Sequence, residues 1–199
     1  MAHAPTFNEF IPSVEEALLY SREWKRPERE DHNRYLNLTR LFQYSHYNRE
    51  SLIQRCTAIA NVYPNSLAGV SRTDAADMIM EVDLDGTRIE NGDITVVDAI
   101  VNKIYELCHQ KKYMFATMFC NHSNPSKYYG YNHEVGTVLV ELNRRDHFYI
   151  RFDDNYLRRY VQYYNIMQSF VEYYHLEKLT TTQIDVMLKN SYEYYFANN

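Results

Sequence analysis

Between Cys120 and His133 the chain places a thiol, two imidazoles and three tyrosine hydroxyls within fourteen residues: Cys-Asn-His-Ser-Asn-Pro-Ser-Lys-Tyr-Tyr-Gly-Tyr-Asn-His. A small hydrolase or transferase could be built there. Cys120 would attack, His133 or His147 would take its proton, and Asp153 or Asn121 would orient that base. This is the alternative reading. The spacing matches no cysteine-protease signature, and with eight histidines Cys–His pairs arise readily by chance. The competing reading ends a buried strand at Cys120 and leaves the histidines hydrogen-bonded to loop carbonyls.

The same residues could be read as metal ligands: Cys120, His122 and His133, with Cys108 or His109. Structural zinc sites carry Cys-x2–4-Cys pairs, and the sequence has none. A calcium loop at Asp83-x-Asp85-Gly86 fails too, because its glycine stands fourth rather than sixth. No phosphate-cradling glycine loop, serine elbow or paired-carboxylate motif is present. No metal and no cofactor are therefore expected.

Tyrosine is the second signal. There are 20, roughly three times the usual share, while seven lysines stand against fourteen arginines. A tyrosine ring is rigid and apolar with one polar tip, which suits surfaces that are half dry and half wet. Tyr156, Tyr163, Phe170, Tyr173, Tyr194 and Tyr195 widen the apolar stripes of the two C-terminal helices and are candidates for an interface, where tyrosine is enriched and lysine depleted. The preferred function is thus a non-enzymatic protein-interaction or assembly role, with a partner protein or a second copy of the chain. Arg144-Arg145, Arg151 and Arg158-Arg159 alternate with Tyr149, Tyr156 and Tyr160 as nucleic-acid surfaces do. Interleaved acids and a pI near 5.9 make a solvated ion-pair face the better reading, so nucleic acid is not an expected partner.

The elements that must position these residues begin with helices. Ser13-Val14-Glu15-Glu16 is a capping box, and it predicts a helix to about Trp24 after a loosely ordered lead over residues 1–12. Two more helices are expected over Asp31–Tyr44 and Asn48–Asn61. Met78–Leu84, Asp85-Gly86, Thr87–Glu90 and Asn91-Gly92 read as hairpin strands and turns. A helix follows from Thr95, with Val97, Ile100, Val101, Ile104 and Cys108 on one face. Tyr113–Phe119 reads as a buried strand, and Thr137–Leu142 with His147–Phe152 as an antiparallel pair. Asp153-Asp154-Asn155 caps a long helix from Tyr156 to Leu176, and Thr180 caps a last one to Phe196.

The run Asp85-Gly86-Thr87 to Gly92-Asp93-Ile94-Thr95-Val96-Val97-Asp98-Ala99-Ile100 resembles the hairpin-to-helix entry of β-grasp, ubiquitin-like domains over some forty residues. That resemblance implies local topology and no activity. The expected fold is one α+β domain over residues 1–199: N-terminal helices, a central, mostly antiparallel sheet with one crossing helix, and two C-terminal helices. No apolar run reaches the roughly 18 residues of a membrane span, and the N-terminus lacks a signal-peptide profile. Three cysteines, an odd number, favour a reducing compartment, so a cytoplasmic or nuclear setting is expected. A viral origin would suit a compact chain without familiar motifs.

Overall fold

The structure is a computed structural model describing residues 7–44 and 47–197. Residues 1–6 of the expected loose lead lie outside the described residues. The α+β expectation is corrected: among the described residues there are eleven α-helices and no strand. They are α1 (Val14–Trp24), α2 (Glu30–Tyr44), α3 (Arg49–Val62), α4 (Arg72–Val82), α5 (Thr87–Asn91) and α6 (Thr95–Cys108). After them come α7 (Tyr113–Ser123), α8 (His133–Asp146), α9 (Asp154–Leu157), α10 (Tyr160–Tyr173) and α11 (Thr181–Tyr195).

Local capping explains where many of these begin. Ser13 accepts from the Glu16 amide at 3.1 Å, and Ser71 accepts from Asp74 at 3.0 Å. Asn48 with Ser51, and Thr180 with Gln183, form reciprocal capping boxes at α3 and α11. Each such cap satisfies an orphan N–H and contributes about 1 kcal/mol.

The expected hairpin is a helix end followed by a single helical turn. Met78, Met80 and Val82 alternate, but Ala75, Ala76 and Ile79 are the buried set, and that spacing is helical. Gly86 (φ 80°) and Gly92 (φ 77°) do adopt the left-handed backbone that the Asp-Gly and Asn-Gly pairs announce. They cap the two ends of α5 instead of turning strands, so the β-grasp-like entry does not form. Tyr113–Phe119, expected as a strand, is buried on every side within α7; a run apolar all round carries no period to separate the two states. Thr137–Leu142 lies in α8, which buries Val135, Val138, Leu139 and Leu142 on one face. The strand expected at His147–Phe152 is a connection held by Asn143, whose amide donates to the Ile150 carbonyl at 3.1 Å and accepts from the Tyr149 N–H at 2.8 Å. The long helix expected from Tyr156 to Leu176 is broken at Arg158-Arg159, where the Asp98 carboxylate of α6 reaches across to the Tyr160 N–H at 3.1 Å.

The core runs continuously from Phe10 to Leu188. α6 lies against α4, α7 and α10, α7 also packs on α2 and α3, and α11 lies between α1 and α8. Residues 7–12 of the expected lead are docked, with Phe7 against Phe196 and Tyr195 and Phe10 buried. Among the described residues no helix is long and apolar enough to cross a membrane.

Much of the tyrosine excess is spent inside. Residues 128–132 are a buried, non-helical segment whose backbone needs partners. The Tyr160 hydroxyl accepts from the Tyr129 N–H at 2.8 Å and donates to its carbonyl at 3.1 Å. Tyr163 donates to the Gly130 carbonyl at 2.7 Å. A tyrosine fills core volume and carries a hydroxyl to a buried carbonyl, two requirements that phenylalanine meets only by half.

Candidate functional site

The four residues of the hydrolase alternative do not come together. Cys120 is wholly buried in α7, and burial, helped by the Asp83 charge, pushes its thiol above the ordinary range. A thiol so placed is inert. His133 is the first residue of α8 and His147 follows its last; fourteen residues of helix separate them by about 21 Å. Asp153 is exposed and caps α9, accepting from the Tyr156 N–H at 3.0 Å. Asn121 donates to the Tyr128 carbonyl at 2.6 Å. Among the described residues no group of three or more His, Cys, Asp or Glu side chains could hold a metal ion.

The candidate interface residues divide. Tyr163 and Phe170 are wholly buried and present no ring to a partner. Tyr156 is half-buried, and Tyr195 is half-buried against Phe7 and Phe10. Tyr173 and Tyr194 are half exposed, at the ends of α10 and α11 respectively. They form no shared stripe.

A cleft of about 420 Å³ lies where α11 faces the start of α2, a volume in the range of ligand sites. α11 contributes Thr182, Asp185, Val186, Lys189, Asn190 and Glu193, residues that fall on one helical face. The opposite wall is Arg29, Asp31, Arg34 and Tyr35. Trp24, Tyr63 and Met114, all half-buried, form the floor with the exposed Pro64 beside Tyr63, and His133 and Glu134 come from the first turn of α8.

Each wall is held by its own polar contacts. Arg29 grips Asp31 through two bonds of 3.0 Å and holds its carboxyl below the usual carboxylate range. The Trp24 indole donates to the same Asp31 at 3.0 Å and packs edge-on against His32 and Tyr35. Arg34 pairs with Glu30. The Tyr35 hydroxyl and Thr182 Oγ1 share a bond of 2.8 Å that ties the walls together at one end. On α11, Lys189 Nζ stands 3.4 Å from Asp185 Oδ2 and 5.9 Å from the Tyr63 ring centroid. Desolvation opposes its charge, but Asp185, Tyr63 and Glu134 outweigh that and hold the ammonium above the usual lysine range. The buried Asp185 Oδ1 has no hydrogen-bond partner.

Beneath the floor lies His122. Its Nε2 shares a bond of 3.0 Å with the Tyr63 hydroxyl, and its ring contacts Tyr35 and Phe42. Burial, with the Lys189 charge nearby, pushes its imidazole down to about 3. It is a neutral buttress for the two tyrosines that line the cleft.

Of the catalytic and interface candidates drawn from the sequence, His133 alone lines the cleft. A usable signal was present in α11, where Thr182, Asp185, Lys189 and Glu193 recur at helical spacing opposite the core face. The one tryptophan, Trp24, at a helix end just before Pro27, was another.

Residues 14–127, more than half of the chain, match the family described as HI_0787_N, N-terminal domain. No curated protein and no solved structure gives a significant match. The matched span runs from the first residue of α1 to just past α7, so the cleft forms where that span meets α8 and α11.

Proposed function

We propose that this chain, which belongs to the HI_0787_N, N-terminal domain family, is a non-enzymatic protein-interaction module whose cleft receives an extended segment of a partner protein. One observation carries the reading: an open cleft with aromatic floor and polar rim, assembled from α1, α2, α3, α7, α8 and α11. Pockets of this kind, apolar below with a few convergent polar groups, are where a binding partner is seated. The exposed Tyr194 near the end of α11 would extend the contact beyond the cleft, and Tyr173 marks a separate surface. Three cysteines stand free in the described structure, Cys56 and Cys120 buried and Cys108 half-buried. They support placing the protein in a reducing compartment, the cytoplasm first.

Selection from a random peptide library tests this. It would be run on the native protein and on two variants that fill the cleft, Asn190→Phe on α11 and His133→Phe at the exposed first position of α8. Peptides enriched on the native protein and lost on the filled variants would support the proposal. A selection that ends with the same peptides on all three, or with none, would overturn it. Circular dichroism melting of each variant separates a filled cleft from an unfolded chain.

A further inference from the structure

We infer that the group received by the cleft is an uncharged aromatic side chain. The extended segment proposed above, on which this inference rests, lays a phenylalanine- or tyrosine-type ring against the floor and is held beside α11 by its main chain.

The rings that line the cleft have spent their polar tips. The Trp24 indole N–H donates to Asp31 at 3.0 Å. The Tyr63 hydroxyl shares its bond of 3.0 Å with His122 Nε2, and the Tyr35 hydroxyl shares one of 2.8 Å with Thr182. All three residues are half-buried and line the cleft, so the surface they leave to an occupant is mostly ring carbon. Met114 adds a half-buried thioether.

These rings are also fixed. Trp24 and Tyr35 meet edge-on with centroids 5.1 Å apart. Tyr35 lies 5.2 Å from His122, and His122 lies 5.9 Å from Tyr63. Each ring is thus anchored twice, by a hydrogen bond and by a neighbouring ring. A floor held in this way has little freedom to lose when it is covered, which is the condition under which apolar contact is most favourable. A flat ring suits it best. Aromatic pairs gain from edge-to-face geometry beyond the area they bury, and a thioether makes a further favourable contact with a ring. An aliphatic side chain gains the area alone.

The ionic groups give no reason for a charge of either sign. Arg29 grips Asp31, Arg34 pairs with Glu30, Asp185 and Glu134 both act on Lys189, and Glu193 has an interaction of its own. A charged side chain entering among them would give up its water and find the opposite charges engaged. The capacity that remains suits a main chain. Lys189 holds an ion pair at 3.4 Å, and an ammonium carries three N–H groups. The others can donate to backbone carbonyls, which every sequence supplies.

Because Trp24 is the only tryptophan and lines the cleft, its emission reports occupancy directly. Four end-blocked, alanine-based heptapeptides serve as probes, with a central phenylalanine, leucine, lysine or glutamate. The phenylalanine peptide is expected to shift Trp24 emission and to bind about tenfold more tightly than the lysine and glutamate peptides. Its advantage over the leucine peptide is expected to be about threefold, and salt should leave its affinity unchanged. Tyr35→Leu, which removes a ring, should abolish that advantage over leucine, and Tyr35→Phe, which keeps the ring, should preserve it. Melting curves identify any variant that has unfolded, and the ranking on the native protein stands without them. A lysine or glutamate peptide that binds as tightly as the phenylalanine peptide, or a leucine peptide that does, with binding lost in Asn190→Phe, would overturn the aromatic occupant and leave the cleft standing. Binding that persists in Asn190→Phe and His133→Phe would remove the cleft itself. No binding of the phenylalanine peptide, at concentrations where a library-selected peptide does bind, would also overturn the inference.

Discussion

The turn from Asp83 to Thr95 and the cleft beside α11 are both dense in charge, and their side chains are used in opposite ways. In the turn nearly every polar atom is spoken for. Asp83 is almost fully buried, and its two oxygens accept from the Arg88 and Ile89 amides at 3.1 and 3.0 Å. Arg88 donates to Asp93, to the Val82 carbonyl and to Thr95. Tyr128 and Tyr47 reach in from other parts of the chain to the carbonyls of Asp93 and Asp83. In the cleft, Asp185 keeps an unpartnered oxygen and Lys189 one loose ion pair. Acidic residues alone therefore mark no site here. What separates a staple from a binding surface is whether the hydrogen-bonding capacity is closed.

The sharpest way to break this contrast is Asp83→Ala. It would leave the buried Ile89 amide and the half-buried Arg88 amide unpaired at the start of α5, at a cost of about 3 kcal/mol. Urea denaturation should show that loss, with Asp83→Asn, which keeps one acceptor, falling between. A loss below about 1 kcal/mol would mean that water already serves the turn and that it is no more closed than the cleft.

Gly86 sharpens the same side. A Cβ there would stand 2.7 Å from Tyr47 Cδ2, and the Tyr47 ring is tethered through its hydroxyl to the Asp83 carbonyl at 2.8 Å. Gly86→Ala combines a left-handed backbone with this clash, and about 2–3 kcal/mol is expected. Gly69 is the control. It has nearly the same φ of 79° and nothing within 4 Å, so Gly69→Ala should cost only about 1 kcal/mol. Equal losses would show that Tyr47 yields freely.

These glycines also show how far the sequence could be read. Their positive φ was legible in Asp-Gly and Asn-Gly, because only the backbone demand matters there. Whether that demand turned strands or capped a helix depended on Tyr47 and Tyr128 arriving from outside the local segment. The helices α1, α3, α6 and α11 were legible because a cap, Ser13, Asn48 or Thr180, or, in α6, a clear apolar period sits in the segment itself. α7 was not, since burial on all sides erases periodicity. The break at Arg158-Arg159 carries no glycine or proline and is made by Asp98, sixty residues upstream. The cleft was almost wholly hidden, as its walls come from positions 24 to 193 and no single stretch holds more than one face. Cys120 was misleading because chemistry-bearing residue types say nothing of exposure.

His122 lies in α7 below the cleft floor, against Tyr63 and Tyr35. Its imidazole titrates near 6.5 in the unfolded chain and at about 3 in the folded one, so the unfolded state binds the proton first. The stability it supports is complete above pH 6.5 and declines below it by about 1.4 kcal/mol per pH unit. Carboxylates held low, such as Asp31 and Asp93, act in the same direction only at lower pH. Measured between pH 5 and 6.5, native protein should lose stability more steeply than His122→Gln. Parallel curves would mean that the floor opens to water and the histidine charges in place.

The smallest effect belongs on the open side, at Asp185→Ala. Two terms oppose each other. The substitution removes a buried oxygen that lacks a partner, which favours folding, and loses an i,i+4 ion pair with Lys189 at 3.4 Å, which disfavours it. Pairs of this kind contribute up to about 1 kcal/mol, so the urea midpoint should move little in either direction. The local chemistry should nonetheless change. Asp185 is the strongest of the groups that hold the Lys189 ammonium above its usual range against desolvation, and without it that group should release its proton more readily. Titration of labelled lysine methylene resonances would read the shift directly. A large loss of stability with an unmoved Lys189 would invert the comparison, making Asp185 a closed structural contact like Asp83 and leaving the cleft without its unused acceptor.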